Sequence, residues 1–284
     1  MVLIITYFKG MLMGIADLVP GVSGGTIALI TGIYQRLINA IAAVNLANLK
    51  LVLSGNFKKA WQQIDGWFLL AVFIGIISAI FLFAGLIKYL LASHAVLTWS
   101  FFFGLILVSA LLLIKQNHPS HWANSIFLVI GVALGYVLST QNLGALPAGH
   151  IGIFLAGCIA ICAMILPGIS GSLILILLGK YVTLVSAVEA REWSTLLLFA
   201  LGCLVGLLIF SRLLKWLLAR HYKATMFTLA GLMLGTLFRV WPWHVAAIKI
   251  SPLNHPEPQL ALSLLLMVLA GVLVWLLFKL DQKK

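Results

Sequence analysis

Acidic residues and cysteines are scarce in this 284-residue sequence, which has six Asp and Glu together and three Cys. Charged residues of both signs make up only 8% of the chain, whereas 63% of the residues are hydrophobic. A soluble domain needs a larger charged surface, so the composition excludes that class and predicts an integral membrane protein. The 18 Lys and Arg residues give a net charge of +12 and fall in loops and at helix ends. Contact with anionic membrane lipids explains this surplus, and no nucleic-acid partner is expected.

The three cysteines, Cys158, Cys162 and Cys203, all lie within apolar stretches, which argues against disulfide bonds. Cys158 and Cys162 are four residues apart and share a helix face, so they could in principle bind a metal together. No His or acid stands at ligand spacing beside them. We therefore interpret all three as small packing residues and expect neither a metal site nor a cofactor.

Long apolar runs are abundant, and six of them predict transmembrane helices. Five carry no charge, and the sixth, 224–241, is free of charge from Ala224 to Phe238. Outer-membrane strands would instead alternate over about ten residues. The N-terminus has no basic leader before its apolar part, so we expect it to belong to the mature fold. The predicted transmembrane helices are 66–87, 95–114, 122–138, 195–211, 224–241 and 260–278.

The sequence also contains an internal duplication. DLVPGVSGGTIALITGIYQRLINAI, from Asp17, matches MILPGISGSLILILLGKYVTLVSAV, from Met164. At this offset of 147 positions the identical pairs include Pro20/Pro167, Gly21/Gly168, Ser23/Ser170, Gly24/Gly171, Gly32/Gly179 and Tyr34/Tyr181. Further on the offset is 127, where the matches include His94/His221, Phe83/Phe210 and Gly104/Gly231. We expect a longer loop, around Asn45 to Asp65, to absorb the difference.

The duplication predicts an all-α polytopic membrane protein with inverted-topology repeats, 1–147 and 148–284. Each repeat is a re-entrant helical hairpin, about 2–44 or 151–188, followed by three transmembrane helices. Because the number of crossings per repeat is odd, the second copy enters the membrane upside down. With both termini cytoplasmic, most basic residues lie inside, as the positive-inside rule expects. Such repeats are typical of transporters with alternating access. The basic residues left outside are Lys88, Lys180, Arg191, Arg239 and Lys249.

Each hairpin contains the motif P-G-x-S-G. From Gly168 to Gly179 a helix rises about 18 Å, short of the roughly 30 Å of hydrocarbon, which favours a re-entrant turn at Pro167–Gly168 and likewise at Pro20–Gly21. Two ordinary tilted helices with a surface turn are the alternative. Ser23 and Ser170 are suited to cap the second arm, whose free N–H groups and dipole attract anions. Two such ends would converge on one pocket. The predicted phosphate-binding residues in these arms are Ser23, Gly24, Gly25, Thr26, Ser170, Gly171 and Ser172.

Two charged residues complete the candidate site. Asp17 is the one acid inside an apolar run, and its counterpart is Met164. A carboxylate there is costly, and such residues usually pair with a base or carry protons. We predict that Asp17 couples transport to protons; a structural, paired or snorkelling acid is the alternative. Arg239 closes an apolar helix on the outer side, where its guanidinium can bind phosphate or serve as an interfacial anchor.

The segment Asp17 to Thr26, the trailing Gly32-x-Tyr34 and the second copy Pro167 to Ser172 resemble the bacterial family called domain of unknown function 368. The likeness covers nearly the whole chain. It implies an undecaprenyl (polyprenyl) phosphate translocase in the bacterial inner membrane, which returns the lipid carrier from the outer to the cytoplasmic leaflet. A groove open sideways would carry the headgroup while the isoprenoid tail stays in lipid, with H⁺ or Na⁺ as the coupling ion.

Two other functions remain open at this point. A carrier or channel for a small soluble anion would use the same hairpins with a sealed pocket. A membrane enzyme acting on lipid phosphate would need a nucleophile with a positioned base, or a metal cluster. The sequence has no HExxH motif and no His near either serine motif, so we predict a transporter and not an enzyme.

Overall fold

The computed structural model describes residues 2–117, 122–141, 144–245 and 248–282. Within these ranges the chain forms fourteen α-helices and one short β-hairpin. The first half contains α1 (Val2–Asp17), α2 (Gly24–Ile30), α3 (Tyr34–Ala42), α4 (Leu46–Leu53), α5 (Phe57–Gln63), α6 (Gly66–Ser93), α7 (Ala95–Asn117) and α8 (Trp122–Thr140). The second half contains α9 (Gly149–Ile165), α10 (Gly171–Leu177), α11 (Tyr181–Glu189), α12 (Trp193–Arg220), α13 (Tyr222–Thr236) and α14 (Leu260–Gln282).

The β-hairpin lies between α13 and α14 and pairs β1 (His244–Val245) with β2 (Ile248–Lys249) in antiparallel register. His244 is opposite Lys249. A 3₁₀ turn, Pro252–Asn254, follows before α14 begins. Together these elements form a cap on the end of α13.

Four helices are long and apolar enough to cross a membrane, namely α6, α7, α12 and the Leu260–Leu280 part of α14. Two bent pairs, α3 with α4 at 60° and α10 with α11 at 110°, raise the number to six if each pair is one span. The chain is therefore an all-α, multi-pass membrane protein. The predicted helices 66–87, 95–114, 195–211 and 260–278 fall within the four long ones.

The other two predicted spans form shorter helices. The apolar part of α8 is Asn124–Thr140, and α13 has 15 residues. The predicted boundary of 224–241 is wrong at its C-terminal end, because the helix stops at Thr236 and residues 237–240 form a turn. Pro242 keeps the helix from resuming after this turn, since proline cannot continue a helix and biases the residue before it away from helical geometry.

The predicted long loop around Asn45 to Asp65 is also wrong in conformation, because α4 and α5 occupy it. The side chain of Asn45 caps α4 by accepting a hydrogen bond from the backbone N–H of Asn48 at 3.0 Å. The amide of Asn48 then donates to the carbonyl of Ala60 in α5 at 2.9 Å. Asn is a favoured N-cap because its side-chain oxygen satisfies an orphan N–H. This polar contact folds the two helices onto each other.

Glycine crossings hold the long helices together. Helix α1 packs on α6 and α9 on α12, whereas α7 packs on α14 and α8 on α13. A Cβ at Gly75 would lie 2.3 Å from the carbonyl oxygen of Tyr7, and one at Gly202 would lie 2.1 Å from that of Phe154. Small residues permit such close backbone approach between membrane helices. Two of these crossings lie within a half of the chain and two join the halves, so the halves are interleaved.

Candidate functional site

The first P-G-x-S-G motif links α1 to α2 through a tight turn. Gly21 has φ +84°, a left-handed conformation that glycine adopts without strain. Ser23 is the N-cap of α2, with an extended backbone, and its Oγ accepts a hydrogen bond from Gly25 N–H at 3.1 Å. Ser23 and Thr26 are fully buried. The predicted capping role of Ser23 is therefore confirmed.

The second motif repeats the turn but not the capping bond. Gly168 has φ +85°, and Ser170 stands at the N-cap position of α10 with an extended backbone. Its side chain makes no capping hydrogen bond; instead Ser170 Oγ lies 2.8 Å from Ser172 Oγ. The prediction that Ser170 caps α10 is thus wrong for its side chain, because the neighbouring hydroxyl satisfies it. Ser172 is exposed, so this helix start is more open than that of α2.

The structure brings the two motifs into contact. The hydroxyl of Ser23 lies 3.1 Å from the carbonyl oxygen of Leu166, the residue before Pro167. Gly168 N–H donates to Thr26 Oγ1 at 2.9 Å, between two buried groups. Gly25 also lies close to this turn, since a Cβ there would be 2.7 Å from the carbonyl oxygen of Ile165. Residues 142 to 143 positions apart therefore form one polar contact.

Tyr34 belongs to this contact as well, although sequence reasoning assigned it no role. It is 3% exposed, and its hydroxyl donates to the carbonyl of Ile165 at 3.3 Å. The same ring lines a polar cavity of about 200 Å³ together with Gln35, Gln116 and Tyr222. Tyr34 thus stands between that cavity and the second hairpin turn. The signal was present in the sequence, because the G-x-Y spacing occurs in both copies.

Asp17 is the last residue of α1 and reaches the start of α2. Its Oδ1 accepts a hydrogen bond from Gly24 N–H at 2.7 Å, and a Cβ on Gly24 would lie 2.6 Å from Oδ2. A carboxylate therefore already holds one of the donors that was predicted to face a phosphate. In the second half, Met164 lies beside Gly171, with its Cβ 3.6 Å from the place a Gly171 Cβ would take. The two helix starts thus differ in charge.

Arg239 lies in the turn after α13, against the first hairpin. Its Cγ is 3.3 Å from the place a Cβ on Gly21 would take, so the aliphatic stem covers Gly21 while the residue remains exposed. Lys249 is its neighbour, with Nζ 3.5 Å from the centroid of the Phe238 ring. Burial, and then the positive charge of Arg239, lower the pKa of Lys249 to about 8. The sequence placed Lys249 outside the membrane but gave it no role in the site. Its position beside Arg239 and Phe238 depends on the β-hairpin, which the sequence analysis did not predict.

The end of α13 contacts both hairpin turns. A Cβ on Gly168 would lie 2.8 Å from Thr236 Oγ1 and 3.0 Å from Met233 Cα, and Val240 lies against Gly21 together with Arg239. Pro167 and Gly168 are buried, whereas Pro20 is exposed. Every residue of the predicted site therefore lies on α1, α2, α9, α10, the turns between them or the end of α13. Hydroxyls, backbone N–H groups and one guanidinium suit an anion.

Other basic residues are engaged by the protein. Arg36 forms a two-point ion pair with Asp65, at 2.6 and 3.1 Å, above the Phe68 ring. Arg212 donates to the carbonyl of Val44 at 3.1 Å, and the buried Lys180 donates to that of Pro147 at 2.8 Å. Within the part of the chain that the structure describes, no three His, Cys, Asp or Glu side chains group closely enough to bind a metal.

Long apolar helices around two joined and largely buried P-G-x-S-G motifs define a multi-pass membrane protein of the α-helical class. The chain belongs to the undecaprenyl phosphate translocase-like family, whose sequence profile matches residues 13–255. It is 40% identical over 298 residues to the "Polyprenyl-phosphate transporter" of Vibrio cholerae serotype O1, covering 98% of this chain and 97% of that relative. It is 36% identical over 257 residues to the "Polyprenyl-phosphate transporter" of Staphylococcus aureus, covering 84% and 86%. No solved structure matches the chain significantly.

Proposed function

We propose that this protein is an undecaprenyl (polyprenyl) phosphate flippase that returns the lipid carrier from the outer to the cytoplasmic leaflet of the bacterial inner membrane. The observation that carries the proposal is the buried contact between the two motifs, where Ser23 and Thr26 meet the turn at Leu166 to Gly168. The two relatives' names support the substrate class. A phosphate cannot cross hydrocarbon without polar partners, whereas its isoprenoid tail can remain there.

The proposal includes inverted repeats, 1–147 and 148–284, with both termini cytoplasmic. The order of helices supports it, since α1, α2, α3, α6, α7 and α8 match α9, α10, α11, α12, α13 and α14 in sequence. The packing supports it too: α1 on α6 corresponds to α9 on α12, and α7 on α14 corresponds to α13 on α8. In this scheme the repeats rock about the hairpins and expose the site to each side in turn.

In the proposed site the phosphate binds the hydroxyls and N–H groups of both motifs, with Arg239 receiving it at the outer end. The residues from the motifs are Ser23, Gly24, Gly25, Thr26, Ser170, Gly171 and Ser172. The turns Pro20–Gly21 and Pro167–Gly168 set the geometry. Asp17 competes with the phosphate for Gly24 N–H, so the acid leaves, neutralised by a proton, when substrate arrives. The partners are the polyprenyl phosphate, bulk membrane lipid and a coupling ion, H⁺ or Na⁺.

The test uses purified protein in liposomes that contain undecaprenyl phosphate, with a phosphatase added outside. Lipid that flips outward is hydrolysed, and the released inorganic phosphate is measured against time. Protein-dependent hydrolysis of more than the outer-leaflet pool supports the flippase. A folded wild-type protein that leaves the inner pool intact, with and without a proton gradient, contradicts it and favours a small-anion carrier. Phosphate release by the protein alone, without added phosphatase, indicates an enzyme.

The variant for this assay is Gly171→Leu, which places a side chain at the more open helix start. A Cβ there would be 3.2 Å from the carbonyl oxygen of Ala160, so a leucine adds bulk between α9 and the helix start at which we propose the phosphate binds. Gly85→Leu is the matched control, because a Cβ at Gly85, within α6, meets no atom within 4 Å. We expect the first variant to stop exchange and the second to retain it.

A further inference from the structure

A groove of about 410 Å³ opens toward the membrane between α8, α12 and α13. Its walls are mainly apolar and aromatic, formed by Phe127 of α8, Phe210 and Trp216 of α12, and Thr228 of α13. Leu166, at the second hairpin turn, and His221, between α12 and α13, also line it. The groove therefore joins two exposed aromatic side chains, Phe127 and Trp216, to the turn that carries the second motif.

The groove is continuous with the candidate site at Leu166. The side chain of Leu166 lines the groove, while the carbonyl oxygen of the same residue is 3.1 Å from Ser23 Oγ. A chain lying in the groove would thus end one residue from the contact between the motifs.

The repeat-related positions of the first half differ from those that line the groove. At the repeat offset, Phe101 stands where the groove has Thr228, and Leu97 stands where it has Ala224. Phe101 is partly buried against the main hydrophobic core. Larger apolar side chains therefore occupy the positions that would open an equivalent groove beside the first hairpin. The groove thus lies beside the second hairpin, whose helix start no carboxylate blocks.

We propose that this groove seats the isoprenoid chain of a polyprenyl phosphate while its phosphate lies at the contact between the two hairpins. The inference rests on the proposed function and adds a tail-binding site and the side of entry. The lipid has one branched tail, which suits the single aromatic-lined groove. It has one compact anionic headgroup, which suits the polar contact between the motifs next to that groove. A diacyl phospholipid brings two tails and a larger headgroup to the same place.

Photo-crosslinking tests the occupant directly. p-Benzoylphenylalanine is placed at Phe127, which lines the groove, or at Val129, two residues along α8 and on its other face. Both side chains are exposed, by 39% and 65%, so neither replacement disturbs the core. The depths differ by about 3 Å along the helix. The probe is radiolabelled undecaprenyl phosphate in phosphatidylcholine liposomes. We expect several-fold more labelling from position 127, and competition by unlabelled undecaprenyl phosphate but not by phosphatidylglycerol.

Equal labelling at both positions by a protein that exchanges the lipid overturns the groove while leaving the flippase intact. Competition by phosphatidylglycerol as strong as that by undecaprenyl phosphate also overturns it, since the groove is then a general lipid site. If the wild-type protein does not exchange the lipid, the proposed function fails, and the ratio of labelling at 127 to 129 still decides whether the groove binds the chain.

A steric variant gives a second, independent readout. Thr228→Phe copies Phe101 and fills the groove, and we expect it to lower exchange of undecaprenyl phosphate at least about tenfold. Leu204→Phe is the control, because Leu204 of α12 is 51% exposed and does not line the groove. Exchange by a folded Thr228→Phe variant at the rate of the control contradicts a tail site at this position.

Discussion

The carboxylate of Asp17 accepts a hydrogen bond from the backbone N–H of Gly24 at 2.7 Å. This bond joins the end of α1 to the start of α2 across the Pro20–Gly21 turn. A helix start attracts negative charge, so the first hairpin has an anion of its own chain where the second has Met164. The asymmetry gives the two motifs different tasks in the proposed cycle: one start is closed by an acid that can take up a proton, and the other remains open.

Asp17→Asn separates the hydrogen bond from the charge. The amide oxygen still accepts from Gly24 N–H, so we expect the variant to fold and to exchange lipid without responding to a proton gradient. Asp17→Ala leaves that buried N–H unpaired and costs about 1–3 kcal/mol of stability. Exchange rates with and without a gradient, together with thermal unfolding in detergent, measure both effects. Full gradient dependence in the Asn variant would show that Asp17 is structural.

Ser23→Ala and Ser170→Ala form a matched pair. Ser23 Oγ caps α2 and bonds to the second hairpin, so its loss is expected to cost about 1–2 kcal/mol. Ser170 Oγ makes no capping bond, and its loss is expected to change stability by less than about 0.5 kcal/mol. If Ser170 binds the phosphate, its variant instead raises the lipid concentration needed for half-maximal exchange. Equal destabilisation by the two substitutions, measured by thermal unfolding, contradicts the observed difference in capping.

Arg239→Gln removes the guanidinium beside Gly21. Because a guanidinium binds phosphate at two points and is worth more than a neutral donor, we expect about a tenfold weaker apparent affinity for undecaprenyl phosphate. Arg239→Lys keeps the positive charge but not the planar guanidinium that binds phosphate at two points. We expect it to recover part of the lost affinity. Arg191→Gln, also at an exposed and predicted outer position, serves as the control. An Arg239→Gln protein with wild-type concentration dependence would identify Arg239 as an interfacial anchor.

Lys249 is expected to titrate near pH 8, because burial and then the charge of Arg239 disfavour its protonated form. The pKa of an ordinary lysine is about 10.4. Between these values the folded protein binds fewer protons than the unfolded chain, so the contribution of Lys249 to stability rises as the pH increases from 8 to 10.5. Competitive acetylation followed by mass spectrometry measures the pKa directly. Arg239→Gln should raise this pKa, and an unchanged value would exclude Arg239 as one of its causes.

Much of the architecture was predictable because apolar length and repetition are properties of the sequence itself. The four long helices follow from charge-free runs, and the capping role of Ser23 follows from an S-G-G-T segment after a Pro-Gly turn. The end of α13 and the helices between Asn45 and Asp65 were mispredicted. The end of α13 depends on a turn at residues 237–240, and the helices between Asn45 and Asp65 depend on hydrogen bonds of the Asn45 and Asn48 side chains. Apolar length reports neither.

The candidate site, like the fold, was predictable from the sequence in part. The sequence by itself determined which residues we propose for the chemistry, since a charge or a P-G-x-S-G motif inside an apolar segment is costly wherever the chain folds. Only the tertiary structure decided their partners: Asp17 with Gly24, Ser23 with the turn at Leu166, Arg239 with Gly21, and Lys249 with Phe238. Two of these contacts, Ser23 with Leu166 and Arg239 with Gly21, join segments far apart in the chain. Close packing of glycine-lined helices sets such distances, and no local pattern encodes them.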